Sequence, residues 1–235
     1  MVIAGIVAGG TGSRMGDTQL PKQFLQVNGL PIIVHTINKF IANSNIDNVV
    51  VGINPFYKQL MCELIITHFA NNERIFVTDG GENRTDTVNN IVKFSLENFN
   101  LTPESVFVTH DAVRPFVTQS IISQNILAAQ KYGACTTAVS ATDTIIQSHD
   151  KQTISQIPKR SELYMAQTPQ SFLLGEYQEV YDSLTPLQKQ TATDTCTLFS
   201  CCKKTVHIVE GDVTNIKITY PLDLEFASIL DKSQS

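Results

Sequence analysis

Apolar residues recur along this chain in two alternating spacings, and this alternation restricts the possible fold more than any other feature. Residues 2–7 and 48–53 are short, mainly apolar runs, as expected of strands buried on both faces. Between them, residues 31–43 place apolar side chains three and four positions apart, which is the spacing of one helix face. A rhythm of strand, helix and strand predicts an α/β fold with a mostly parallel sheet covered on both faces.

The rhythm continues to Gly133, whose position after a helical pattern suits a helix end. It predicts further strands at 74–77 and 105–109 and further helices at 57–69, 85–99 and 120–132.

After Gly133 the rhythm changes. Residues 136–147 and 153–157 are β-rich and flank the polar turn His149-Asp150-Lys151, which predicts an inserted β-hairpin projecting as an arm. Later patterns predict helices at 175–184, 194–201 and 221–230 and short strands at 205–209 and 215–218. No repeat or linker divides the chain, so one domain over residues 1–235 is expected, with the arm at about residues 136–160.

Charge and composition exclude several classes of protein. The net charge is −5 over 235 residues, without the basic patch typical of nucleic-acid binders. No window approaches the roughly 18 consecutive apolar residues of a membrane span, and the N-terminus lacks the basic segment of a signal peptide. Five cysteines without a C-x-x-C pair indicate reduced thiols, so we expect a cytoplasmic protein that binds neither nucleic acid nor membranes.

A glycine-rich stretch, AGIVAGGTGSRMGDTQLPKQF, follows the first predicted strand. It is not a Walker A loop, because Asp17 follows Gly16, and Met15 replaces the third glycine of a dinucleotide fingerprint. Glycines after a strand let backbone amides approach an anion, and Arg14 and Lys22 add positive charge. An anion site and a surface turn with two solvated cations are equally compatible with this stretch alone.

Two further stretches follow predicted strands. GGENRTDT, at residues 80–87, suits either contacts to a base or sugar or an ordinary turn that caps a helix, and taken alone the turn is favoured. VFVTHDAVRPF, at residues 106–116, puts Asp111 at a strand end, where it would either bind Mg²⁺ or pair with Arg114. His110 is better explained as a packed histidine than as a base.

Cations complete the pattern. Four of the five arginines lie in these stretches or after the hairpin, and Lys217 stands in the otherwise apolar segment TNIKIT. Because all these groups fall at predicted strand ends, together they indicate a site for several phosphates and a metal.

The motifs A-G-G-x-G-x-R-M, P-K-Q-[FY], G-G-x-x-R-x-D-[ST], H-D-A-x-R-P, Q-T-P-Q-x-F and N-I-K-[VI]-T occur in this order. In these motifs the chain resembles the cytidylyltransferase family, which includes enzymes acting on 2-C-methyl-D-erythritol 4-phosphate and on ribitol 5-phosphate. The resemblance implies a Rossmann-like nucleotidyltransferase sheet with a β-arm through which two copies form a homodimer. It also implies that CTP and a polyol phosphate react to a CDP-polyol and pyrophosphate with Mg²⁺ or another divalent cation.

The resemblance also implies roles for individual residues. Arg14 and Lys22 would be catalytic, and Asp111 would bind the metal. Substrate would be positioned by Arg114 and Lys217, and by Thr144 and Arg160 from the arm of the partner subunit. The nucleotide would be bound by Val7, Ala8, Gly9, Gly10, Gly81, Glu82, Asn83, Arg84, Thr85, Thr87 and Ala112.

Small differences separate the branches of the family. Erythritol-phosphate enzymes usually have H-D-A-A-R-P and T-D-E-A, whereas this chain has HDAVRP with Val113 and TDTC at residues 193–196. LPKQF and YMAQTPQSF also resemble the ribitol-phosphate branch. We therefore expect D-ribitol 5-phosphate as acceptor, for teichoic acid or capsule precursors, with the erythritol phosphate of isoprenoid synthesis as alternative. A non-catalytic nucleotide-binding regulator is the third hypothesis, against which the presence of Arg14, Lys22 and Asp111 argues.

Overall fold

A seven-stranded sheet forms the centre of the computed structural model, which describes residues 1–10, 20–70 and 72–234. Its strands run in the order β5-β4-β1-β6-β8-β7-β9, and only β8 is antiparallel to its neighbours. The mostly parallel α/β sheet predicted from the sequence is confirmed. The strands are β1 (Val2–Ala8), β4 (Asn48–Ile53), β5 (Ile75–Asp79), β6 (Val106–Asp111), β7 (Ala134–Ser140), β8 (Tyr164–Leu173) and β9 (His207–Glu210), and a separate hairpin is formed by β2 (Gln26–Val27) and β3 (Leu30–Pro31).

Helices cover both faces of this sheet. One apolar cluster packs α1, α2 and α4 against one face, and a second packs α3, α5 and α7 against the other. No helix in the described ranges has the length and apolar character needed to cross a membrane. The helices are α1 (Ile32–Ile41), α2 (Lys58–Phe69), α3 (Arg84–Asn98), α4 (Gln119–Tyr132), α5 (Leu174–Ser183), α6 (Pro186–Thr191), α7 (Thr195–Cys201) and α8 (Pro221–Gln234).

Local sequence explains where several helices begin and end. The Asn83 side chain accepts a hydrogen bond from the amide of Asp86 and caps α3, and the Thr118 side chain does the same for α4. Gly133 ends α4 with φ +86°, a conformation that favours glycine. These caps fix the helix starts that face the carboxyl edge of the parallel strands.

The main error of the sequence-based prediction is β8, which was not expected although it lies in the middle of the sheet. Its sequence, YMAQTPQSFL, is polar and contains Pro169, and proline usually argues against a central strand. The structure accommodates Pro169 at an irregularity, because the pairing of β7 with β8 shifts register between Thr136 and Ala138. The polar side chains of β8 are buried and serve the site described below.

Two other expectations also need correction. Residues 215–218 form no strand but an irregular segment, in which the Ile218 amide donates to the Val113 carbonyl. The strand expected from residue 136 begins at Ala134 and ends at Ser140 within the main sheet, and α6 was not anticipated.

The segment after β7 is exposed from Thr142 to Ile157. Its strand character is limited to one antiparallel bridge between Gln147 and Gln156. The turn between them is closed by Asp150, whose carboxylate accepts hydrogen bonds from the amides of Gln152 and Thr153 at 2.8 Å. Four isoleucines of this segment are 43–58% exposed: Ile145, Ile146, Ile154 and Ile157.

Candidate active site

A cavity of about 330 Å³ opens at the carboxyl edge of the parallel strands, where β1 and β6 end side by side. This is where open α/β sheets bind ligands. Its wall comes from the ends of β1 and β6, the turn before α3, the short turn Lys22–Phe24 and the irregular segment after β9. The lining residues are Val7, Ala8, Gly9, Gly10, Lys22, Gln23, Gly81, Glu82, Asn83, Arg84, Thr87, Asp111, Ala112, Val113 and Lys217.

Two glycine turns of the cavity wall touch each other. A Cβ atom on Gly9 would lie 2.8 Å from Thr87 Oγ1, and one on Gly80 would lie 3.4 Å from the Gly9 Cα atom. A Cβ atom on Gly81 would overlap Asp86. Glycine is therefore required here by close approach, which joins the turn after β1 to the turn before α3.

The start of α3 is held by hydrogen bonds within its own turn. The Gly81 amide donates to Thr87 Oγ1 at 3.0 Å, and the Thr87 hydroxyl donates to the Asn83 carbonyl at 2.9 Å. Asn83 Oδ1 accepts from the Asp86 amide at 2.9 Å. The cavity wall around Gly81, Asn83 and Thr87 is thus rigid before any ligand binds.

Asp111 is the centre of a charged cluster. Its Oδ1 atom pairs with Arg84 Nε at 3.2 Å, and its Oδ2 atom with Lys217 Nζ at 2.8 Å and Arg114 Nε at 3.7 Å. Burial alone would raise the pKa of Asp111, but the charges of Arg84, Lys217 and Arg114 outweigh it and hold the pKa well below its usual 3.8. Three cations around one carboxylate leave an excess of positive charge, which suits an anionic ligand.

His110 lies behind this cluster and is fully buried. Burial lowers its pKa to about 4, so the imidazole is neutral at pH 7. Its Nε2 atom lies 2.9 Å from the Arg114 carbonyl and therefore donates, while Nδ1 accepts from the Thr168 hydroxyl at 3.1 Å. The same Thr168 oxygen accepts from the Asp111 amide at 3.1 Å, so His110 is a structural link and not a base.

Arg114 is fixed from the other side. Its Nη1 atom donates to the Asn215 carbonyl at 2.7 Å, and the Asn215 side chain donates to the Thr168 carbonyl at 2.9 Å. The irregular segment that carries Lys217 is thereby attached to β6 and β8. Lys217 is the most exposed cation of the cluster, with 38% of its side chain accessible.

Arg84 receives a second set of contacts that the sequence did not predict. Its Nη1 atom donates to Thr195 Oγ1 at 3.2 Å, and the Thr195 amide donates to Gln170 Oε1 at 3.1 Å. Gln170 Nε2 donates in turn to Asp194 at 2.8 Å. The TDTC segment and β8 therefore orient Arg84 from behind, and the only sequence signal for this was the pair of motifs TDTC and Q-T-P-Q.

The structure brings most of the predicted site residues into one wall. Among the described residues, those predicted but not lining the cavity are Thr85 and Arg114, which are buried or half-buried behind it, and Thr144 and Arg160, which are exposed on the arm. Arg14 lies outside the described residues. Gln23 and Val113 line the cavity although neither was predicted to bind a ligand.

The donor set can be compared with what a divalent cation needs. Among the described residues there is no group of three or more His, Cys, Asp or Glu side chains that could hold a metal ion by itself. Asp111 is ionised and lines the cavity, which fits a Mg²⁺ that arrives with a triphosphate and needs only one or two protein carboxylates. Both Asp111 oxygens are paired with cations, so a bound Mg²⁺ would compete with Lys217, the most exposed of these cations, for the carboxylate.

Comparison with solved structures places this fold among known enzymes. A 4-diphosphocytidyl-2C-methyl-D-erythritol synthase from Anaerococcus prevotii is 26% identical with a TM-score of 0.79, and covers 99% of this chain and 96% of its own. The 2-C-methyl-D-erythritol 4-phosphate cytidylyltransferase of Francisella tularensis is 27% identical with a TM-score of 0.80, over 97% and 98% of the two chains. A bifunctional IspDF from Campylobacter jejuni, at 20% identity and a TM-score of 0.71 over 95% of this chain and 53% of its own, shares the fold.

The family model is more decisive than any single structure. The model described as IspD, 2-C-methyl-D-erythritol 4-phosphate cytidylyltransferase, matches residues 2–232, which is nearly the whole chain. Together with the cavity of glycine turns and cations at the carboxyl edge of the sheet, this match shows that the chain belongs to the IspD family of cytidylyltransferases, which are nucleotidyltransferases.

Proposed function

We propose that this enzyme transfers the cytidylyl group of CTP to D-ribitol 5-phosphate, giving CDP-ribitol and pyrophosphate. The observation that carries the choice of acceptor is where the chain departs from the erythritol-phosphate motifs. Val113, which replaces an alanine, lines the cavity, and Thr195, which replaces a glutamate, contacts Arg84. One departure lies in the cavity wall and the other directly behind it, as expected if the acceptor differs.

These two replacements suit an unbranched polyol. Valine fills more of the cavity than alanine, and ribitol phosphate lacks the methyl branch of the erythritol compound. A hydroxyl at position 195 leaves the charge of Arg84 without the second carboxylate that glutamate would supply. The additional hydroxyl of ribitol would find hydrogen-bonding groups on this more positive wall.

The second candidate acceptor is 2-C-methyl-D-erythritol 4-phosphate. It is favoured by the name of the matching family model and by the names of the solved relatives. The family is shown by the model over residues 2–232, whereas the solved relatives share only 26–27% of their residues with this chain, so experiment must distinguish the two acceptors. A family match over residues 2–232 with the cation cluster intact disfavours a non-catalytic regulator.

The proposed reaction needs no general base. A phosphate oxygen of the acceptor attacks the α-phosphorus of CTP, and the bond from that phosphorus to the oxygen bridging to the β-phosphate breaks. The attacking phosphate is already mostly ionised at neutral pH, since the second pKa of a phosphomonoester is about 6. This agrees with a buried, neutral His110, and catalysis consists of positioning two anions and neutralising their charge.

The cavity residues divide this work. Amides of the turn at Ala8, Gly9 and Gly10 would face the triphosphate, and Lys22 and Arg14 would stabilise charge at the reacting phosphorus. The turn from Gly81 to Thr87 would bind cytidine. Asp111 would hold a Mg²⁺ that neutralises charge on the phosphates, and Lys217, released from Asp111, would bind the acceptor phosphate beside Arg114.

We also propose that two copies of the chain pair through the arm. Thr144 and Arg160 are exposed and lie on this segment, and Arg160 Nη1 contacts only the nearby Thr142 carbonyl among its described hydrogen bonds, at 3.2 Å. The four exposed isoleucines of the arm would be buried between subunits. Arg160 and Thr144 of each copy would then complete the acceptor site of the other.

Pyrophosphate release separates these hypotheses. Wild-type protein is incubated with CTP, Mg²⁺ and either ribitol 5-phosphate or methylerythritol phosphate, and kcat/KM is compared. Faster pyrophosphate release with ribitol 5-phosphate supports the proposal, and faster release with methylerythritol phosphate establishes the second candidate. CTP binding without pyrophosphate release in the presence of either acceptor indicates a regulator. Val113→Ala combined with Thr195→Glu should shift the ratio toward methylerythritol phosphate, and an unchanged ratio would contradict a role of these positions in acceptor choice.

A further inference from the structure

Gln23 is a buried polar residue of the cavity wall that no part of the proposed reaction uses. We propose that it is a positioning residue, which holds the glycine turn after β1 and the segment carrying Lys22 in one fixed arrangement for CTP. This inference rests on the proposed nucleotidyl transfer and concerns its CTP half only.

Within the described part of the chain, the Gln23 side chain donates to two main-chain carbonyls of the glycine turn. Its Nε2 atom donates to the Ala8 carbonyl at 2.8 Å and to the Gly10 carbonyl at 3.2 Å, and the residue is only 2% exposed. A carboxamide NH₂ group has two protons, so one side chain satisfies both acceptors.

These two bonds connect parts of the chain that are distant in sequence. Gln23 follows Lys22 in a short 3₁₀ turn, which is closed by a bond from the Phe24 amide to the Pro21 carbonyl at 2.9 Å. Phe24 is buried and its ring lies 5.6 Å from that of Tyr57, which anchors the turn to the body of the protein. Through Gln23, the backbone of Lys22 is therefore held against the end of β1, 13 to 15 residues earlier in the chain.

The arrangement also has an electrostatic consequence. Carbonyl oxygens carry partial negative charge, and Ala8 and Gly10 both line a cavity that we assign to a triphosphate. Donation from Gln23 offsets this charge and directs these carbonyls toward the protein. Without it, the two oxygens would be free to turn toward the nucleotide and repel it.

Two substitutions test the role of the carboxamide. Gln23→Met keeps the length and removes both donors, while Gln23→Glu keeps the shape and offers one donor only when the carboxyl group is protonated. At pH 8 both variants should lower the affinity for CTP, measured by calorimetry without acceptor, by about tenfold or more, since a lost buried partner typically costs that much. In the full reaction KM for CTP should rise and kcat fall, while KM for the acceptor stays within about twofold of wild type.

The pH dependence distinguishes hydrogen bonding from packing. Burial beside two carbonyls raises the pKa of a carboxyl group, so the CTP affinity of Gln23→Glu relative to wild type should recover as the pH falls from 8 to 6. The relative affinity of Gln23→Met should not change. The ionisable groups on the same wall are common to all variants and cancel in this ratio: Lys22, Glu82, Arg84, Asp111 and Lys217. The controls are Gln26→Met and Gln26→Glu, at an exposed position nearby outside the cavity wall.

Several results would overturn the inference. They are a Gln23→Met protein with wild-type CTP affinity and kcat, a pH response shared by both Gln23 variants, and a CTP defect that merely follows the unfolded fraction measured by urea titration. Wild-type protein that binds CTP but releases no pyrophosphate would refute the proposed reaction alone, because the CTP measurements still test Gln23. Absence of CTP binding by wild-type protein would overturn both.

Discussion

Single residues of the site are held mainly by charge. Asp111 holds Arg84, Arg114 and Lys217 in one cluster. The position of each of these side chains is also set by the path of the chain segment that carries it. The cluster keeps three cations close together before an anion arrives, so Arg84 and Arg114 need not be gathered when an anion binds. We therefore expect that changing the charge of a single residue in this cluster has a large effect on activity.

Lys22→Ala should lower kcat at least about 10²-fold, because an oxyanion donor at the reacting centre typically contributes that much. The measurement is pyrophosphate release at saturating CTP and acceptor. Lys58→Ala is the matched control, since Lys58 is an exposed lysine whose partner is Asp79. Turnover of Lys22→Ala near the wild-type rate would remove Lys22 from the reacting centre.

Asp111→Asn should abolish Mg²⁺-dependent turnover, since it removes the only carboxylate among the described residues of the cation cluster. Activity is measured as a function of Mg²⁺ concentration at saturating CTP. Asp79→Asn, at an exposed strand end on the same edge of the sheet, should leave the titration unchanged. A wild-type Mg²⁺ titration for Asp111→Asn would show that Asp111 is not the metal ligand.

His110 should make the protein less stable as the pH falls. Its folded-state pKa of about 4 lies below the ordinary 6.5, so between these values the unfolded chain binds more protons than the folded one. The free energy of unfolding should therefore be highest above pH 6.5 and decrease toward pH 4, by at most about 1.4 kcal/mol per pH unit from this group. Urea titrations from pH 7.5 to 4.5 measure it.

The control for this pH dependence is a pair of substitutions. His110→Gln should give a flatter pH profile than wild type, while His68→Gln, at an exposed position, should not change the slope. A His110→Gln protein whose stability falls with pH as steeply as that of wild type would contradict the assignment.

Strands, helices and turns shape the candidate site where two of them come into contact. The turn after β1 touches the turn before α3 through glycines, and β8 supplies buried polar groups that hold Asp111 and Arg84 from behind. Because the Gly9 contact with Thr87 leaves no space for a Cβ atom, the shape of this cavity wall depends on the distance between the two turns.

Gly9→Ala should destabilise the protein by about 1–3 kcal/mol, the usual cost of overpacking. The new methyl group would lie 2.8 Å from Thr87 Oγ1, which must then move away from the Gly81 amide. Gly10→Ala is the control, because a Cβ atom there meets no atom of the described residues within 4 Å. Equal unfolding free energies for the two variants would indicate that the turns are not in contact.

At the scale of the whole molecule, the proposed pairing of two chains would complete an acceptor site that one chain does not form alone. Thr144 and Arg160 were expected to bind the acceptor, yet in a single copy they lie on an exposed segment away from the cavity wall. A partner copy that inserts its arm would supply them and cover the exposed isoleucines.

Mixing two impaired variants tests this arrangement. Lys22→Ala and Arg160→Ala are each prepared alone, then mixed under conditions that allow subunit exchange. If the arm acts across the dimer, one of the two sites in each heterodimer contains neither substitution. After exchange, about half of the dimers in an equal mixture are heterodimers, so the specific activity of the mixture should rise to about half that of a pure heterodimer. Recovery no greater than the sum of the separate proteins would mean that Arg160 does not act on the partner.

Arg160→Ala alone should raise KM for the acceptor more than KM for CTP, and the reverse order would place the arm at the nucleotide.

Much of this molecule could be read from local sequence. Short apolar runs identified β1, β4 and β6, and apolar residues spaced three and four apart identified most helices, because both patterns are set by neighbours in the chain. Glycines and charged groups placed after strands indicated the site, because parallel strands end at one edge of a sheet. Periodicity did not reveal β8, since most of its buried side chains are polar and form no apolar pattern.

The sequence by itself thus determined the α/β architecture and nearly all residues of the described cavity wall. Only the tertiary structure decided how these residues work together: that Asp111 pairs with three cations, that Thr195 orients Arg84, and that Gln23 reaches the carbonyls of Ala8 and Gly10. The physical reason is the distance along the sequence between the residues that interact. A helix or strand pattern is encoded by residues a few positions apart, whereas a hydrogen bond or ion pair between distant segments depends on where the whole chain brings them.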